Sequence, residues 1–590
     1  MNPKLIKFLR AATPASPLVT DTYALQQDAL KRGFILHPLV LGEDVRAFIK
    51  SEIIHPNTTF YKTWEDVVSK NRLDIFLDQV RHYASTYGTG FTGMPYIPAG
   101  GVEGPDFESY TFIDVISEQE LFKRCLGMLC SGIALKGDTV KLLCEAVLDG
   151  AAKGIGSVDI DSIRNREALV VLCQALGRRP SDPVSLFRYI AYAATGETLL
   201  IRSPRQIEQI KAAAEAFDFG ILSPGELEKL ASIFYRFKPQ MLAFRGAEGS
   251  RNRAVINRLR RMAPKFHKPL SKGFWETLLS ACPPMYEVEA HLGSVTSFKL
   301  VSLLQTVRER LLTRSESRPL QMYLVRNGKV FVAPAPEVKE DYLKSLEQVL
   351  ENALIKRLAP KACGVRFPAG LSLCCPASEK TFLGNLPFGS SYPMKGHNFF
   401  GIYWRNEWGT NDFDISFVDW VGSKVGWNAN YNTGTTVYSG DLTDASPEAS
   451  EIIYCKDICP NGTLFCNRYY GAPGSRFRFF FGQEEIVDLK AGYMVRPDSI
   501  VVNEEMTSDS AEKMLGIVCG GRAYLMDLRT GEGRVSAGLR PGQKERIMAR
   551  KSLAFIDLKE LLLKAGFVES DMPDLDLTKL DKDTLITLFS

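Results

Sequence analysis

The sequence lacks the spacings with which cysteine and histidine usually bind zinc. No two of its 12 cysteines are separated by two residues, and histidine occurs only six times in 590 residues. Zinc fingers, zinc ribbons and thioredoxin-like redox sites need such pairs, so we do not expect these classes. The cysteines are expected instead to be small, buried apolar side chains in a reducing compartment.

Long apolar runs and a strong net charge are also missing. No run of about 18 uncharged apolar residues occurs, as a membrane-spanning helix would require. The N-terminal stretch has no apolar core of signal-peptide length because Lys7 and Arg10 interrupt it. The net charge of +4 provides no global field for nucleic acid or membranes. We therefore predict a cytoplasmic protein without membrane insertion.

The composition that is present, 45% hydrophobic and 24% charged, is typical of folded globular domains. The length predicts several separate cores. The pattern of apolar residues predicts an α+β multidomain protein, with a helical, solenoid-like first half and an antiparallel β-sandwich in the second half. The expected parts are a mixed N-terminal module (1–115), an α-helical solenoid or bundle (116–318), a β-hairpin, helix and linker (319–392), a β-sandwich (393–535) and a helical tail (536–590).

Helices are predicted from spacings of three and four between apolar residues, including one over residues 63–87 and an almost continuous series over 117–314. Within this series, Ser203-Pro204 and Ser223-Pro224 are typical helix starts, since serine caps and proline fits the first position. No fixed-period repeat is found, so a solenoid and a bundle both remain open.

The second half changes to strand patterns. The stretch PLQMYLVRNGKVFVAPA predicts a β-hairpin that turns at Asn327-Gly328. A helix is predicted from Glu340 to Leu358. From Asn398 to Leu528, aromatic and β-branched runs alternate with turn residues, as in a sandwich or barrel. The final segments FIDLKELLLKAGF and DKDTLITLF again predict helix.

Two acidic clusters lie beside these strands. Asp412 and Asp414 alternate along one strand, so both carboxylates emerge on the same face. The second cluster lies in the loop that begins at Ser439-Gly440 and contains Asp441, Asp444, Glu448 and Glu451. Calcium takes six to eight oxygen ligands, which two converging carboxylate clusters can supply. The alternative is that these residues only solvate turns and cap backbone groups.

The stretch resembles a known family. The strand DFDISF, followed by YSGDLTDASPEASEIIYCKDI, is similar to TerD-like tellurium-resistance β-sandwich domains over residues 397–530. Such domains have a D-x-D-x-S strand followed by a (H/Y)-x-GD-x-T loop. The closer likeness is to the variant at the C-terminal end of large bacterial proteins with a helical middle. The stretches DQVRHYASTYG and MPYIP are similar to the opening of those proteins.

The resemblance implies a calcium-binding sandwich in which Asp412, Asp414 and Asp441 match best, followed by Asp444, Glu448 and Glu451. It further implies a non-catalytic scaffold with protein partners, in bacterial stress response or in defence against phage and toxic chemicals. Two features depart from the family. The loop has fewer glycine and acidic residues, which predicts weaker calcium binding or its loss, and the RING module that some members carry is absent.

A basic run predicts a different class of function. Residues 251–268 contain seven basic residues and no acidic residue: Arg251, Arg253, Arg258, Arg260, Arg261, Lys265 and Lys268. On a helix such a run can bind RNA phosphates. Ile256, Leu259 and Met262 form an apolar stripe in the same stretch, so a solvated face of a packed helix is the alternative. A purely structural assembly role is a third possibility.

Catalysis is not predicted. The glycine-rich stretch at residues 150–157 lacks the G-K-[ST] ending of a phosphate loop. Cys374 and Cys375 have no histidine in a recognisable partnering context, and buried structural cysteine is the expected interpretation. Neither a G-x-S-x-G elbow nor an H-E-x-x-H motif occurs.

Overall fold

The computed structural model describes residues 1–52, 111–198, 204–268, 273–313, 321–326, 329–334, 337–445, 448–491, 493, 495–496, 499–531, 543–578 and 581–590. Residues 63–87 and the turn residues Asn327-Gly328, for which the sequence predicts a helix and a tight turn, lie outside this set. The chain divides into two compact units. One contains residues 116–282, and the other contains residues 1–115 and 283–589.

The α-helices of the described residues follow in chain order. They are α1 Pro3–Leu9, α2 Thr22–Lys31, α3 Glu43–Ser51, α4 Glu118–Ser131, α5 Gly137–Ala152, α6 Arg166–Ala175, α7 Pro183–Thr195, α8 Pro204–Ala212, α9 Pro224–Ile233, α10 Lys238–Ala243, α11 Asn252–Phe266, α12 Phe274–Ala281, α13 Met285–His291, α14 Ser297–Leu312, α15 Glu340–Leu358, α16 Gln543–Ser552, α17 Leu558–Lys564 and α18 Lys582–Phe589. Among these residues, no helix combines the length and apolar character needed to cross a bilayer.

The strands of the described residues are likewise given in order. They are β1 Ala11–Ala12, β2 Phe34–Leu36, β3 Thr111–Val115, β4 Gln321–Arg326, β5 Lys329–Pro334, β6 Gly364–Arg366, β7 Ser391–Pro393, β8 Asn398–Arg405, β9 Asp412–Asp419, β10 Lys424–Val425, β11 Thr436–Tyr438, β12 Glu448–Cys455, β13 Gly462–Tyr470, β14 Ser475–Gln483, β15 Ile500–Ser508, β16 Glu512–Cys519, β17 Arg522–Gly531, β18 Val568–Glu569 and β19 Leu575–Asp576. The α+β class and the shift from helix to antiparallel sheet are confirmed.

The unit of residues 116–282 is helical. Each of α4, α5 and α6 packs against the next helix, and α9 packs against both α7 and α11. Helix α9 begins as predicted, because the Ser223 hydroxyl accepts from Glu226 N and the Glu226 carboxylate accepts from Ser223 N, a capping box with Pro224 in the first position. Helix α8 begins at Pro204, as the sequence indicates.

The unit of residues 1–115 and 283–589 includes helices α13 and α14, which lie within the helical domain that the sequence predicts over residues 116–318. Helix α14 packs along α15, where the Arg308 guanidinium donates to the carboxylates of Glu347 at 2.9 Å and Glu351 at 3.1 Å. This unit resumes at Pro283, before α13, whereas the sequence predicts a border at residue 318.

A small parallel sheet of order β1-β3-β2 forms the N-terminal module. Helices α1 to α3 pack around it, and Val45, Phe48 and Ile49 of α3 fill the core. The hairpin strands β4 and β5 pair antiparallel in the register that the sequence predicts.

The sandwich consists of two antiparallel sheets with the orders β10-β9-β13-β16-β17-β7 and β11-β12-β8-β14-β15. Aromatic side chains from both sheets meet between them, since Phe413 of β9 contacts Trp404 of β8 and Phe477 of β14. Phe413 of β9 therefore faces the space between the sheets, and its neighbours in the strand face the opposite side. On β8, Gly401 lies on the opposite face from Trp404, where a Cβ would lie 2.0 Å from the Phe480 ring.

The segment before the sandwich is packed, although the sequence predicts a linker there. Strand β7 pairs with β17 at the edge of the six-stranded sheet. Leu373, Phe382 and Leu386 are at most 3% exposed. The many turn residues of this segment thus belong to a folded surface rather than to a spacer. Helices α17 and α18 lie within the two C-terminal segments for which the sequence predicts helix.

Candidate metal centre

Strand β9 positions the first pair of carboxylates. Its sequence DFDISFVD alternates, so Phe413, Ile415 and Phe417 are buried while Asp412 and Asp414 leave on the other face. Both carboxylates are nevertheless buried, at 8% and 3% exposure. The alternation that the sequence shows is confirmed, but burial of both acids was not predicted.

The third carboxylate comes from the loop after β11. Ser439 fastens this loop to β12, because its backbone N–H donates to Ile452 O and its hydroxyl accepts from Ile452 N, both at 2.9 Å. Gly440 follows with φ of 123°, a conformation that side chains rarely adopt. The sharp turn at Gly440 directs the chain so that Asp441 reaches β9.

The carboxylates of Asp412, Asp414 and Asp441 form one cluster. An oxygen atom from each lies within 4.8 Å of the other two. In addition, Asp412 Oδ1, Asp414 Oδ2 and Asp441 Oδ1 are buried and have no hydrogen-bond partner among the residues that the structure describes. Buried polar atoms are normally paired, and three orphaned carboxylate oxygens at one point are unusual. A cation between them would satisfy all three.

Burial raises the pKa values of all three carboxylates in the cluster, and repulsion between them adds to the rise at Asp412 and Asp414. Burial and the nearby Asp441 raise the pKa of Asp412 from 3.8 to about 6. Burial, with Asp412 and Asp441, raises the pKa of Asp414 to about 8. Burial also raises the pKa of Asp441. At neutral pH the cluster therefore favours either a bound proton or a bound cation.

Glu451 lies outside the cluster and hydrogen-bonds the segments that carry its members. Its carboxylate is fully buried, accepts from Ile415 N at 3.0 Å and accepts from Leu442 N at 3.1 Å. These bonds tie β12 to β9 and to the residue after Asp441. Burial and the charge of Asp414 raise the pKa of Glu451 well above its usual range. The sequence predicts a metal ligand here; in the structure both carboxylate oxygens accept backbone hydrogen bonds, as a residue that positions the cluster would.

Two neighbours of the cluster were not singled out by the sequence. Lys424 on β10 is 4% exposed, and its Nζ donates to Asn428 Oδ1 at 2.7 Å. Its charge opposes the rise in the pKa of Asp414, while burial lowers the pKa of the lysine itself. The buried Tyr438 hydroxyl lies beside Glu451. Nothing in the local sequence of Lys424 marks it as buried.

Asp444 and Glu448 lie apart from the cluster, in contrast to the sequence prediction. Asp444 is exposed, and its Oδ1 accepts from Asn406 Nδ2 at 3.4 Å. Glu448 begins β12 and pairs with Arg405 of β8 at 3.2 Å. Strand β12 starts at this point, so the chain has already entered the sheet and leads Glu448 away from β9.

The basic run occupies the solvent face of α11. Ile256, Leu259 and Ala263 are fully buried on its other face. The buried Asn252 holds the start of the helix, because its amide donates to Ala214 O and Phe217 O and its oxygen accepts from Phe219 N. The apolar stripe is thus core, as the sequence indicated.

The seven basic residues are placed on or beside this face. Arg253 is partly exposed, and the other six are exposed: Arg251, Arg258, Arg260, Arg261, Lys265 and Lys268. Arg251 is paired with Glu215 at 3.4 Å and Asp218 at 3.9 Å. Within the described residues, Arg258, Arg260 and Arg261 form no ion pair. The face is therefore strongly positive and accessible.

The donor set of the carboxylate cluster fits a hard cation. All three groups offer oxygen, which calcium prefers, and neither histidine nor cysteine joins them. Oxygen ligands on opposite sides of a calcium ion are about 4.6–5.2 Å apart, so separations up to 4.8 Å allow one ion to touch all three. Comparisons with protein-family models, curated proteins and solved structures found no match to this chain.

Proposed function

We propose that the sandwich is a calcium-binding module and that the protein acts, without catalysis, as a calcium-responsive interaction protein. The observation that carries this proposal is the cluster of the buried Asp412 and Asp414 with the partly exposed Asp441, which holds three carboxylate oxygens where one cation would satisfy them. Water molecules would complete the six to eight oxygen ligands of calcium.

Binding energy for the cation comes from relief of repulsion. Three carboxylates in a poorly solvated site repel one another, and each unpaired buried charge carries a desolvation cost. A divalent cation removes both costs and displaces the protons that Asp414 and Asp412 otherwise retain. Calcium affinity is accordingly expected to increase as pH rises from 6 to 8. Glu451 and the Ser439-Gly440 turn hold the loop in position before the ion arrives.

The resemblance to TerD-like domains supports the same proposal at the family level. It adds a cytoplasmic location, protein partners, and a role in bacterial stress response or in defence against phage and toxic chemicals. These parts of the proposal rest on the motifs DFDISF and YSGDLTD, which contain Asp412, Asp414 and Asp441.

Thermal unfolding of the full chain tests calcium binding. Four of the six tryptophans lie within residues 404–427, so their fluorescence reports mainly on the sandwich. Millimolar calcium should raise the unfolding midpoint of the chelator-treated protein, and calcium at 100 times Kd contributes about 2.7 kcal/mol. Asp441→Ala should abolish the shift. The matched control Asp444→Ala, in the same loop, should retain it.

Two results would count against the calcium module. One is an unchanged midpoint when calcium is added to the wild-type protein at pH 8, where the carboxylates are most ionised. The other is an equal calcium shift in Asp441→Ala and in Asp444→Ala. The latter would mean that calcium binds elsewhere on the chain.

RNA binding on α11 is a second candidate function, favoured by the exposed Arg258, Arg260 and Arg261 on its face. Phosphate contacts make such binding sensitive to salt. Changing these three arginines together to Gln should reduce both RNA affinity and its salt dependence. The control is the same loss of charge at Lys123, Arg124 and Lys141, which are exposed in the same unit. Equal loss in both variants would exclude a specific role for α11.

A further inference from the structure

The corner between β12 and β13 brings two cysteines into contact. Cys455 is the last residue of β12, and Cys459 lies in the connection that leads into β13. Both are buried, at 0% and 5% exposure. Their Sγ atoms are 2.7 Å apart, which is only about 0.7 Å longer than the bond of a disulfide. We propose that Cys455 and Cys459 form a reversible disulfide that fastens this corner of the sandwich.

Backbone hydrogen bonds keep the two thiols together. Lys456, between them, donates its N–H to Thr435 O and accepts from His397 N. On the other side of Cys459, the carbonyl of Asn461 accepts from Trp420 N. The main chain is therefore held on both sides of the pair. Closing the bond needs only small rotations of the side chains, because the sulfur atoms already touch.

The corner also joins the two sheets. Strand β12 belongs to the five-stranded sheet and β13 to the six-stranded sheet. A disulfide here would hold the end of one sheet to the start of the next, four residues beyond Glu451. It would act on the fold of the sandwich and does not require the proposed metal.

A peroxide can supply the oxidising equivalents. One thiolate attacks hydrogen peroxide and becomes a sulfenic acid with loss of water, and the second thiol then attacks that sulfur, forms the S–S bond and releases a second water. Two thiols and one peroxide thus give one disulfide and two waters. Both cysteines are buried, so the first step requires a local opening of this corner that admits the peroxide.

The reduced thiols should react slowly but selectively. Contact with Cys455, together with burial, holds the pKa of the Cys459 thiol well above its ordinary value. Thiolate formation is therefore limited, whereas the second step is fast because its partner is already in contact. Cys466, a buried cysteine on β13, gives a matched comparison within the same region.

Tryptic mapping of the full chain tests the bond. Cleavage after Lys456 separates Cys455, in peptide 425–456, from Cys459, in peptide 457–468. After peroxide treatment and alkylation of the remaining thiols, the two peptides should be recovered as one linked species that reductant separates. Cys459→Ser should abolish the link, whereas Cys466→Ser, which alters the same peptide, should retain it.

Fragment ions of the linked wild-type peptides distinguish Cys459 from Cys466 directly, so the result does not depend on whether a variant folds. The proposal is overturned if the wild-type peptides stay separate after both thiols have been exposed to peroxide, or if the fragments place the bond at Cys466. A second measurement is the unfolding midpoint, which should be higher in the oxidised protein than in the reduced protein and unchanged by peroxide in Cys459→Ser.

Discussion

The carboxylate cluster of the sandwich and the basic face of α11 each gather charges of one sign, but they differ in burial. Asp412 and Asp414 are less than 10% exposed, and three carboxylate oxygens of the cluster have no partner. Arg258, Arg260 and Arg261 are exposed to water, which screens their mutual repulsion. The same density of like charge therefore has a high cost at one place and a low cost at the other.

This difference explains why the cluster is the stronger indication of function. A protein keeps buried like charges only where another interaction compensates for their cost, and perturbed carboxylates are typical of functional sites. A solvated basic helix face needs no such compensation and is common on packed helices. The predictions below change one property at a time in these two regions.

The largest effect is expected at Glu451. In Glu451→Ala the backbone donors of the buried Ile415 and the partly buried Leu442 lose their acceptor, which costs about 1–3 kcal/mol for each. Denaturant unfolding of the calcium-free protein should show a loss of about 2–6 kcal/mol. The control is Glu505→Ala, which removes an exposed ion pair with Arg476 and should cost less than about 1 kcal/mol. Equal losses would contradict the positioning role of Glu451.

The next largest effect is expected when the pH of the calcium-free protein is changed, and it is measured as a change in the free energy of unfolding. The pKa of Asp414 is about 8 in the folded protein, against 3.8 ordinarily, so between these values the folded state binds more protons than the unfolded state. The stability that Asp414 contributes should therefore be complete below about pH 4 and should be lost as pH rises to 8, by up to about 1.4 kcal/mol per pH unit. Asp412 adds to this slope between pH 4 and about 6.

Asp414→Asn sharpens this test because the amide carries no charge at any pH. Unfolding measured from pH 4 to 8 should show a shallower decline and higher stability at pH 8 than in the wild-type protein. Asp412, Asp441, Lys424 and Glu451 act on the same group and remain in both proteins. Asp444→Asn, at an exposed position, should leave the slope unchanged. Parallel curves for Asp414→Asn and wild type would contradict burial of this carboxylate.

The smallest effect on stability is expected on α11. Changing Arg258, Arg260 and Arg261 to Gln removes only exposed charges, so the free energy of unfolding should change by no more than about 0.5 kcal/mol per site. Leu259→Ala, on the buried face of the same helix, should cost about 2–5 kcal/mol. A large loss in the triple variant would mean that these arginines hold the fold.

Local patterns were sufficient for much of the secondary structure. Helix α15 runs from Glu340 to Leu358, as its sequence predicts, and α9 begins at the Ser223-Pro224 cap. Both follow from residues within a few positions of one another, where helix periodicity and capping act. The sequence before β7 predicts a linker, because turn residues do not show that Leu373 and Phe382 are buried by distant parts of the chain.

The candidate site likewise has features that the local sequence predicts and features that depend on the tertiary structure. Strand alternation, a property of neighbouring residues, was enough to put Asp412 and Asp414 on one face of β9. Only the tertiary structure decided that Asp441 reaches them, that Glu448 turns to Arg405, and that Glu451 hydrogen-bonds Ile415, 36 residues away. The physical reason is that side-chain direction in a strand is set by the local backbone, whereas burial and convergence depend on how the two sheets pack.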